Sequence, residues 1–249
     1  MIVHEDRLCV ISDLHLGNPL FKRVNKFVSF LNFISQQKMT LCINGDGIDL
    51  LQLSFGRFML DMPDVTKAFR TAASHGTRIY YIVGNHDIYM EKFLEDWGIL
   101  KVCPYLDLVS GEKRIHIEHA HLYDRLFLYN PDLYVKLVHI AGYFVKLSPA
   151  FHTFYEKFIA MMFNISCKIR LAEVSGSFEH PQFLEAAMEV FKRGYDVVVF
   201  GHTHRPGIIK LPHQRLYVNP GCWYKDVIYF VEIDKGKVEL KKWEAGKGG

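Results

Sequence analysis

The chain predicts an α/β fold, and three observations carry that prediction. Five short apolar runs, Leu8 to Ile11, Leu41 to Ile43, Ile79 to Val83, Ile115 to Ile117 and Val197 to Phe200, each give way to a polar turn. Continuous apolar runs of that length are strands buried on both faces. Between them lie stretches with helical spacing, such as Val24, Phe27, Val28, Leu31 and Ile34, and strand alternating with helix is the α/β pattern. With 249 residues, 49% of them hydrophobic and 23% charged, the chain can build one large core and carry an insertion, so residues 1–249 are read as a single domain.

The elements follow in order. The first helix lies between the Leu8 and Leu41 strands. A later helix opens at Pro181, where a missing N–H costs nothing, and stops at Gly194, with Phe183, Leu184, Ala187, Met188 and Phe191 on one face. After residue 215 the segments Leu216 to Asn219, Val227 to Ile233 and Val238 to Trp243, the last two joined by Asp234-Lys235-Gly236, predict a terminal β-meander. Residues 122–171 break the alternation. They are helical in pattern and crowded with aromatics (Phe127, Tyr134, Tyr143, Phe151, Tyr155, Phe163), and they predict a helical insertion.

Composition excludes several classes. Thirty Lys and Arg against 27 Asp and Glu leave a net charge of +3, too little to argue for a polyanion partner, and nucleic acid is disfavoured. Five scattered cysteines without a C-x-x-C pair predict reduced, buried thiols and neither a disulfide framework nor a thiolate zinc site. The N-terminus runs straight into a strand, with no secretion signal. The stretch Leu133 to Leu147, broken by Lys136, His139 and Lys146, falls short of the ~18 apolar residues of a spanning helix. A cytoplasmic location is expected, with peripheral contact on a membrane through residues 122–171 as an extension of it.

The chemistry is written at the strand ends. The five runs lead into Asp13-Leu14-His15, Gly45-Asp46, Gly84-Asn85-His86-Asp87, His119-Ala120-His121 and Gly201-His202-Thr203-His204. Strand ends of an α/β sheet project toward one rim, so residues far apart in sequence converge there. Carboxylate, amide oxygen and imidazole without thiolate suit Mn²⁺, Fe²⁺, Zn²⁺, Co²⁺ or Ni²⁺. The ligands are too many for one ion that must keep an open position. Two ions about 3.5–4 Å apart, sharing one carboxylate, would use them all, activating a water and polarising a phosphoryl group. At the fourth strand end either His119 or His121 could reach a metal, because period-2 alternation puts both on the face of Ile115 and Ile117. Asp49 reads as a cap or turn residue.

This ordered set resembles the calcineurin-like metallophosphoesterase superfamily. The resemblance implies a four-layer αββα sandwich with a two-metal site between the sheets. One ion would be held by Asp13, His15, Asp46 and His204, the second by Asp46, Asn85, His119 and His202. His119 is thereby favoured over His121, and His86 is implied to face the substrate, oriented by Asp87. A narrower resemblance, in Ser12-Asp13-Leu14-His15-Leu16-Gly17, Gly201-His202-Thr203-His204-Arg205-Pro206 and Val218-Asn219-Pro220-Gly221-Cys222-Trp223, is to the UDP-2,3-diacylglucosamine diphosphatases of lipid A synthesis. Their best-known members have Arg where this chain has His86. The resemblance implies two divalent ions, Mn²⁺ first, and hydrolysis of a lipid-linked sugar nucleotide pyrophosphate to lipid X and UMP. The insertion 122–171 would hold the acyl chains; the alternative is an amphipathic helical hairpin whose aromatics pack on the sandwich. His121, Asp124 and Arg205 are candidate substrate contacts. The rival readings are a phosphoesterase acting on a soluble nucleotide and a non-catalytic scaffold.

Overall fold

A computed structural model of the chain describes residues 2–18, 23–130, 178–223 and 227–244, together with 132, 135–137, 139 and 140. Strands β2 (Arg7–Ile11), β3 (Thr40–Asn44), β4 (Ile79–Ile82) and β5 (Lys101–Cys103) run parallel in one six-stranded sheet. The hairpin β11 (Ile228–Asp234) and β12 (Lys237–Trp243) extends it antiparallel beyond β2, giving the order β12-β11-β2-β3-β4-β5. The second sheet holds β1 (Ile2–His4), β6 (Leu106–Ser110), β7 (Lys113–Glu118), β8 (Val197–Phe200), β10 (Arg215–Asn219) and β9 (Gly207–Leu211), in that spatial order.

The two sheets stack face to face. Leu8, Val10, Cys42 and Ile82 of the first meet Ile115, Ile117, Val197, Val199 and Val218 of the second, all buried. The alternate residues Cys9, Ile11, Leu41 and Ile43 point outward and are covered by α1 (Val24–Gln36) and α3 (Pro63–Ser74) through Phe27, Phe30, Leu31 and Phe69. On the far side Val198, Phe200 and Tyr217 are covered by α5 (Pro181–Lys192) through Phe183, Ala187 and Phe191. This is the four-layer αββα arrangement. Both faces of each central strand are dry, which is why the strands read as unbroken apolar runs.

One expected element is corrected. Leu216 to Asn219 does not join a meander with the two C-terminal strands; it is β10, in the other sheet, parallel to β8 and antiparallel to β9. The chain crosses between the sheets through Pro220-Gly221-Cys222-Trp223, and the half-exposed edge strand β9 lacks the apolar run that would have announced it. Residues 122–171 lie largely outside the described residues; within that span α4 (Arg125–Tyr129) follows a 3-10 turn at His121–Tyr123. Among the described residues four cysteines are free and buried, and no helix is long and apolar enough to cross a membrane.

On the outer face of the second sheet His116 is clamped between Asp107 (Nδ1 to Oδ1, 2.7 Å) and Glu118 (Nε2 to Oε2, 3.1 Å). Burial opposes its charge, but the two carboxylates outweigh burial and raise its pKa above the ordinary imidazole value. A raised folded-state pKa gives stability that is fully present below the unfolded value of about 6.5 and is lost as pH rises through the folded one. Chemical unfolding in mildly acidic and mildly alkaline buffer should therefore show a pH-dependent component that His116→Gln removes.

Candidate metal centre

The parallel register Ile11↔Ile43, Asn44↔Ile82 and Glu118↔Phe200 brings the strand ends level along one rim of the sandwich. The turns there are strained in a consistent way: Asp13 (φ 55°), His15 (51°), Asp46 (51°), His202 (67°) and His204 (58°) are all non-glycine residues in the left-handed region. Such residues are held only where surrounding structure over-determines them, and they cluster at functional sites. Here the turns lace one another: the Asp13 N–H donates to Gly45 O (3.1 Å), the His15 N–H to Asp46 O (2.8 Å), and the Trp223 N–H to Asp13 O (3.1 Å).

Seven side chains converge in two overlapping groups. In the first, Asp13 Oδ1 lies 2.9 Å from His204 Nε2, and His15 Nε2 is 3.5 Å from His204 Nε2 and 3.9 Å from Asp46 Oδ2. In the second, His119 Nε2 is 3.4 Å from Asp46 Oδ2 and 3.1 Å from Asn85 Oδ1, which is 2.8 Å from His202 Nδ1. Asp46 Oδ2 thus faces both groups. The remaining atoms are occupied elsewhere: Asp46 Oδ1 accepts from the His86 N–H (2.8 Å), and Asp13 Oδ2 accepts from the His202 N–H (3.1 Å) and the Ser12 hydroxyl.

Hydrogen bonds also choose the tautomers. His119 Nδ1–H donates to the Asn44 carbonyl (2.8 Å), and His202 Nε2 is held by Asp124 (2.9 Å). In the neutral rings His119 Nε2 and His202 Nδ1 then carry lone pairs, aimed with Asn85 Oδ1 and Asp46 Oδ2 at one point. Carboxylate, amide oxygen and imidazole gathered this closely fit a bound cation, which would take the place of the imidazole protons. This is the observation by which the residues suit divalent metal, and Asp13, His15 and His204, and likewise Asp13, Asp46 and His119, each offer atoms within 4.8 Å of one another.

Electrostatics agree. Burial would raise the pKa of Asp13, but the imidazoles of His204 and His119 bring it to about 2, and Asp46 is held well below the carboxylate range by His119 and His86 against the same burial. Burial would lower His119, but Asp46 and Asp13 push it up to about 10. His15, between His86 and His204, falls to about 4, with burial the larger cause. The carboxylates stay ionised only because positive charge stands beside them.

Two expectations around His86 change. Asp87 does not orient it: Asp87 Oδ2 accepts from the Gly47 N–H (2.9 Å) and the Tyr81 hydroxyl (2.5 Å), and Oδ1 from the Gly84 N–H (2.5 Å). It pins two site loops together, because the chain turns into a 3-10 helix at Ile88 and carries its carboxylate back under Gly84. Asp49 takes the partner's place, its Oδ1 3.0 Å from His86 Nδ1, while its Oδ2 accepts from Asn18 (2.7 Å). With its own burial outweighed by Asp49 and Asp46, His86 rises to about 9. The available signal was a second carboxylate on the same loop, Asp49, three residues beyond Asp46.

Of the other expected contacts, Asp124 is in the centre as the partner of His202. His121 stacks edgewise on Phe127 (5.1 Å) and lies 5.6 Å from His119, with neither ring nitrogen hydrogen-bonded among the described residues. Burial lowers its pKa to about 3. Arg205 Nη1 donates to Phe178 O (3.0 Å). Sequence reasoning missed Glu179, a buried carboxylate behind the His202 loop.

The chain matches the profile of the family described as calcineurin-like phosphoesterase over residues 6–206. It belongs to that family, and as a class it is a metal-dependent phosphoester hydrolase. Among curated relatives it is similar to the UDP-2,3-diacylglucosamine hydrolase of Tolumonas auensis, 23% identical over 252 residues, with 92% of this chain and 94% of that one covered. The enzyme of the same name from Wigglesworthia glossinidia brevipalpis is 24% identical over 243 residues, covering 94% and 92%. Among solved structures, Vacuolar Protein Sorting 29 from Cryptosporidium parvum superposes with a TM-score of 0.42 at 13% identity, covering 96% of this chain and 97% of that one.

The glycines of the site are there for space. A Cβ at Gly84 would lie 2.2 Å from Asp46 Oδ1 and 2.5 Å from the Asp46 backbone nitrogen, whereas at Gly56, inside helix α2 (Phe55–Asp61), it would meet nothing within 4 Å. Gly84→Ala should destabilise by about 1–3 kcal/mol. Gly56→Ala should stabilise by about 0.5–1 kcal/mol. Paired denaturant titrations check both signs.

Proposed function

We propose that the chain is a single metallophosphoesterase domain, with residues 122–171 inserted as a cap, that hydrolyses the pyrophosphate of a lipid-linked sugar nucleotide. The preferred substrate is UDP-2,3-diacylglucosamine, cleaved to lipid X and UMP. The observation that carries the hydrolase reading is the pair of donor sets sharing Asp46 Oδ2. Asp13, His15, Asp46 and His204 would hold one divalent ion, and Asp46, Asn85, His119 and His202 the other, Mn²⁺ being preferred. Bound there, the ions supply Lewis acidity toward phosphoryl oxygen and a water acidic enough to act as nucleophile near neutral pH.

The chain's own residues do the rest. His86 donates its Nδ1–H to Asp49, which fixes the ring and directs Nε2 outward to stabilise phosphoryl oxygen or protonate the leaving group. Access comes from that side: the side chains of His86 and His204 are 15% and 26% exposed, while Asp13 and His119 are fully buried. Asp124 holds His202, and Arg205 and His121 are kept as candidate substrate contacts. Asp87 supports the loops from below. The lipid substrate is supported by the names of the relatives at 23–24% identity over most of their length and by the aromatic composition of residues 122–171. An acylated substrate would bring the enzyme to the cytoplasmic face of a membrane.

The test incubates Mn²⁺-loaded protein with UDP-2,3-diacylglucosamine and with the same nucleotide sugar lacking acyl chains, following UMP release. The acylated substrate should be cleaved far faster, since each methylene buried contributes about 0.8 kcal/mol. Chelation should abolish the activity and Mn²⁺ restore it. His86→Ala should lower kcat by about 10²–10⁴, with Asp49→Asn lowering it less and neither change releasing metal. Hydrolysis of a generic aryl phosphodiester alone would sink the lipid reading and leave the metal centre standing. No hydrolysis of any phosphoester would leave only the scaffold.

A further inference from the structure

His202 and His204, on either side of Thr203, both sit at positive φ. A turn with two left-handed, non-glycine residues does not hold itself in place. What stands behind it is the carboxylate of Glu179, 4% exposed, on the segment that leads into α5. Its Oε1 accepts from the His180 N–H (2.8 Å), and its Oε2 accepts from the Thr203 hydroxyl (2.8 Å), the Tyr217 hydroxyl (2.8 Å) and Asn219 Nδ2 (3.1 Å). Four donors meet one group, and only an ionised carboxylate accepts from all of them without presenting a proton of its own.

Asn219 closes the network. Its Nδ2 also lies 2.8 Å from Thr203 Oγ1 and 3.2 Å from Gly201 O, and its Oδ1 accepts from the Gly221 N–H (2.8 Å). Phe178 flanks the same turn: its carbonyl takes the Arg205 guanidinium (3.0 Å), and its ring fills the space where a Cβ at Gly207 would lie. Residues 201–207 are thus gripped from the 178–180 side at Thr203, Arg205 and Gly207.

We infer that Glu179 is a positioning residue for the metal centre: through Thr203 it fixes the strained turn that sets the separation between His202, in one donor set, and His204, in the other. The inference rests on the reading of those two histidines as ligands. Burial raises the Glu179 pKa, and the four donors are what keep the buried carboxylate in its accepting form. Groups that orient ligands from behind typically change metal affinity about 10–100-fold when lost.

The experiment is Mn²⁺ titration of metal-free full-length protein by calorimetry, with unfolding midpoints measured in parallel without metal. Glu179→Gln, nearly isosteric, is expected to bind Mn²⁺ about 10–100-fold more weakly. Thr203→Val should reproduce the loss, and the double variant should bind no more weakly than the worse single one, because both cut the same link. Val190→Ala opens a cavity in the buried face of α5 away from the Glu179 network; it should lower the midpoint and leave Mn²⁺ affinity at the parent value. Glu179→Gln binding Mn²⁺ as tightly as the parent, with only a lower midpoint, would overturn the inference and leave the metal centre intact. A parent protein that takes up no divalent ion would overturn the ligand reading and this inference with it. If Glu179→Gln does not fold, Thr203→Val decides: unchanged affinity there overturns the inference as well.

Discussion

The Asp46 carboxylate is 1% exposed and stands among imidazoles rather than water. An ion in that position costs several kcal/mol unless its oxygens are matched. The matching groups come from three directions: the His86 N–H after β4, His119 after β7, and His15 after β2. Those strands belong to both sheets, so the carboxylate finds its partners only once the sandwich has closed in register. The centre is therefore a product of tertiary assembly, and its geometry is as precise as the packing between the sheets.

That packing is built from β-branched and small side chains, Val10, Ile82, Ile115, Ile117, Val199 and Val218, which keep the layers close and stiff. At the rim the apolar contacts end and glycine takes over. A Cβ at Gly45 would lie 2.2 Å from the His119 ring, and one at Gly201 2.2 Å from the Ser12 hydroxyl. The imidazole of one sheet therefore slots against the bare backbone of the other, where Asn44 O, which also accepts from the Ser12 hydroxyl, fixes its tautomer. Strain in the turns of the site is carried by the same construction, since each strained residue has its backbone or side chain tied to a neighbouring strand end.

Much of this was legible in the sequence because two periodic signals coincided. Apolar runs marked strands buried on both faces, and the metal-ligating residue types fell at the ends of those runs, so fold and site predicted each other. What stayed hidden was carried by contacts without a period. β9 is a half-exposed edge strand, and β10 changes sheets across Pro220-Gly221, so neither advertises its partner. The choice between Asp49 and Asp87 as the partner of His86 depends on how two turns fold back, and adjacency in sequence pointed to the wrong one. Glu179 has ordinary neighbours in sequence, and only the convergence of Thr203, Tyr217 and Asn219 on it gives it meaning.

Burial is graded across the centre, from fully buried side chains on its floor to part-exposed ones at its opening. Asp13, Asp46, Asn85 and His119 form a buried floor, with Asp46 Oδ1 and Asp13 Oδ2 taken up by the His86 and His202 N–H groups and Asn85 Oδ1 set against His119. The segments leaving the same strand ends expose large apolar side chains instead, among them Leu60, Tyr89, Phe93, Leu122, Leu128 and Tyr129. On the proposed function, the floor would act on the phosphoryl group common to many substrates, and the choice of leaving group would fall to the exposed segments around it. The two are encoded in different residues, so those segments could change the substrate while the floor kept its reaction.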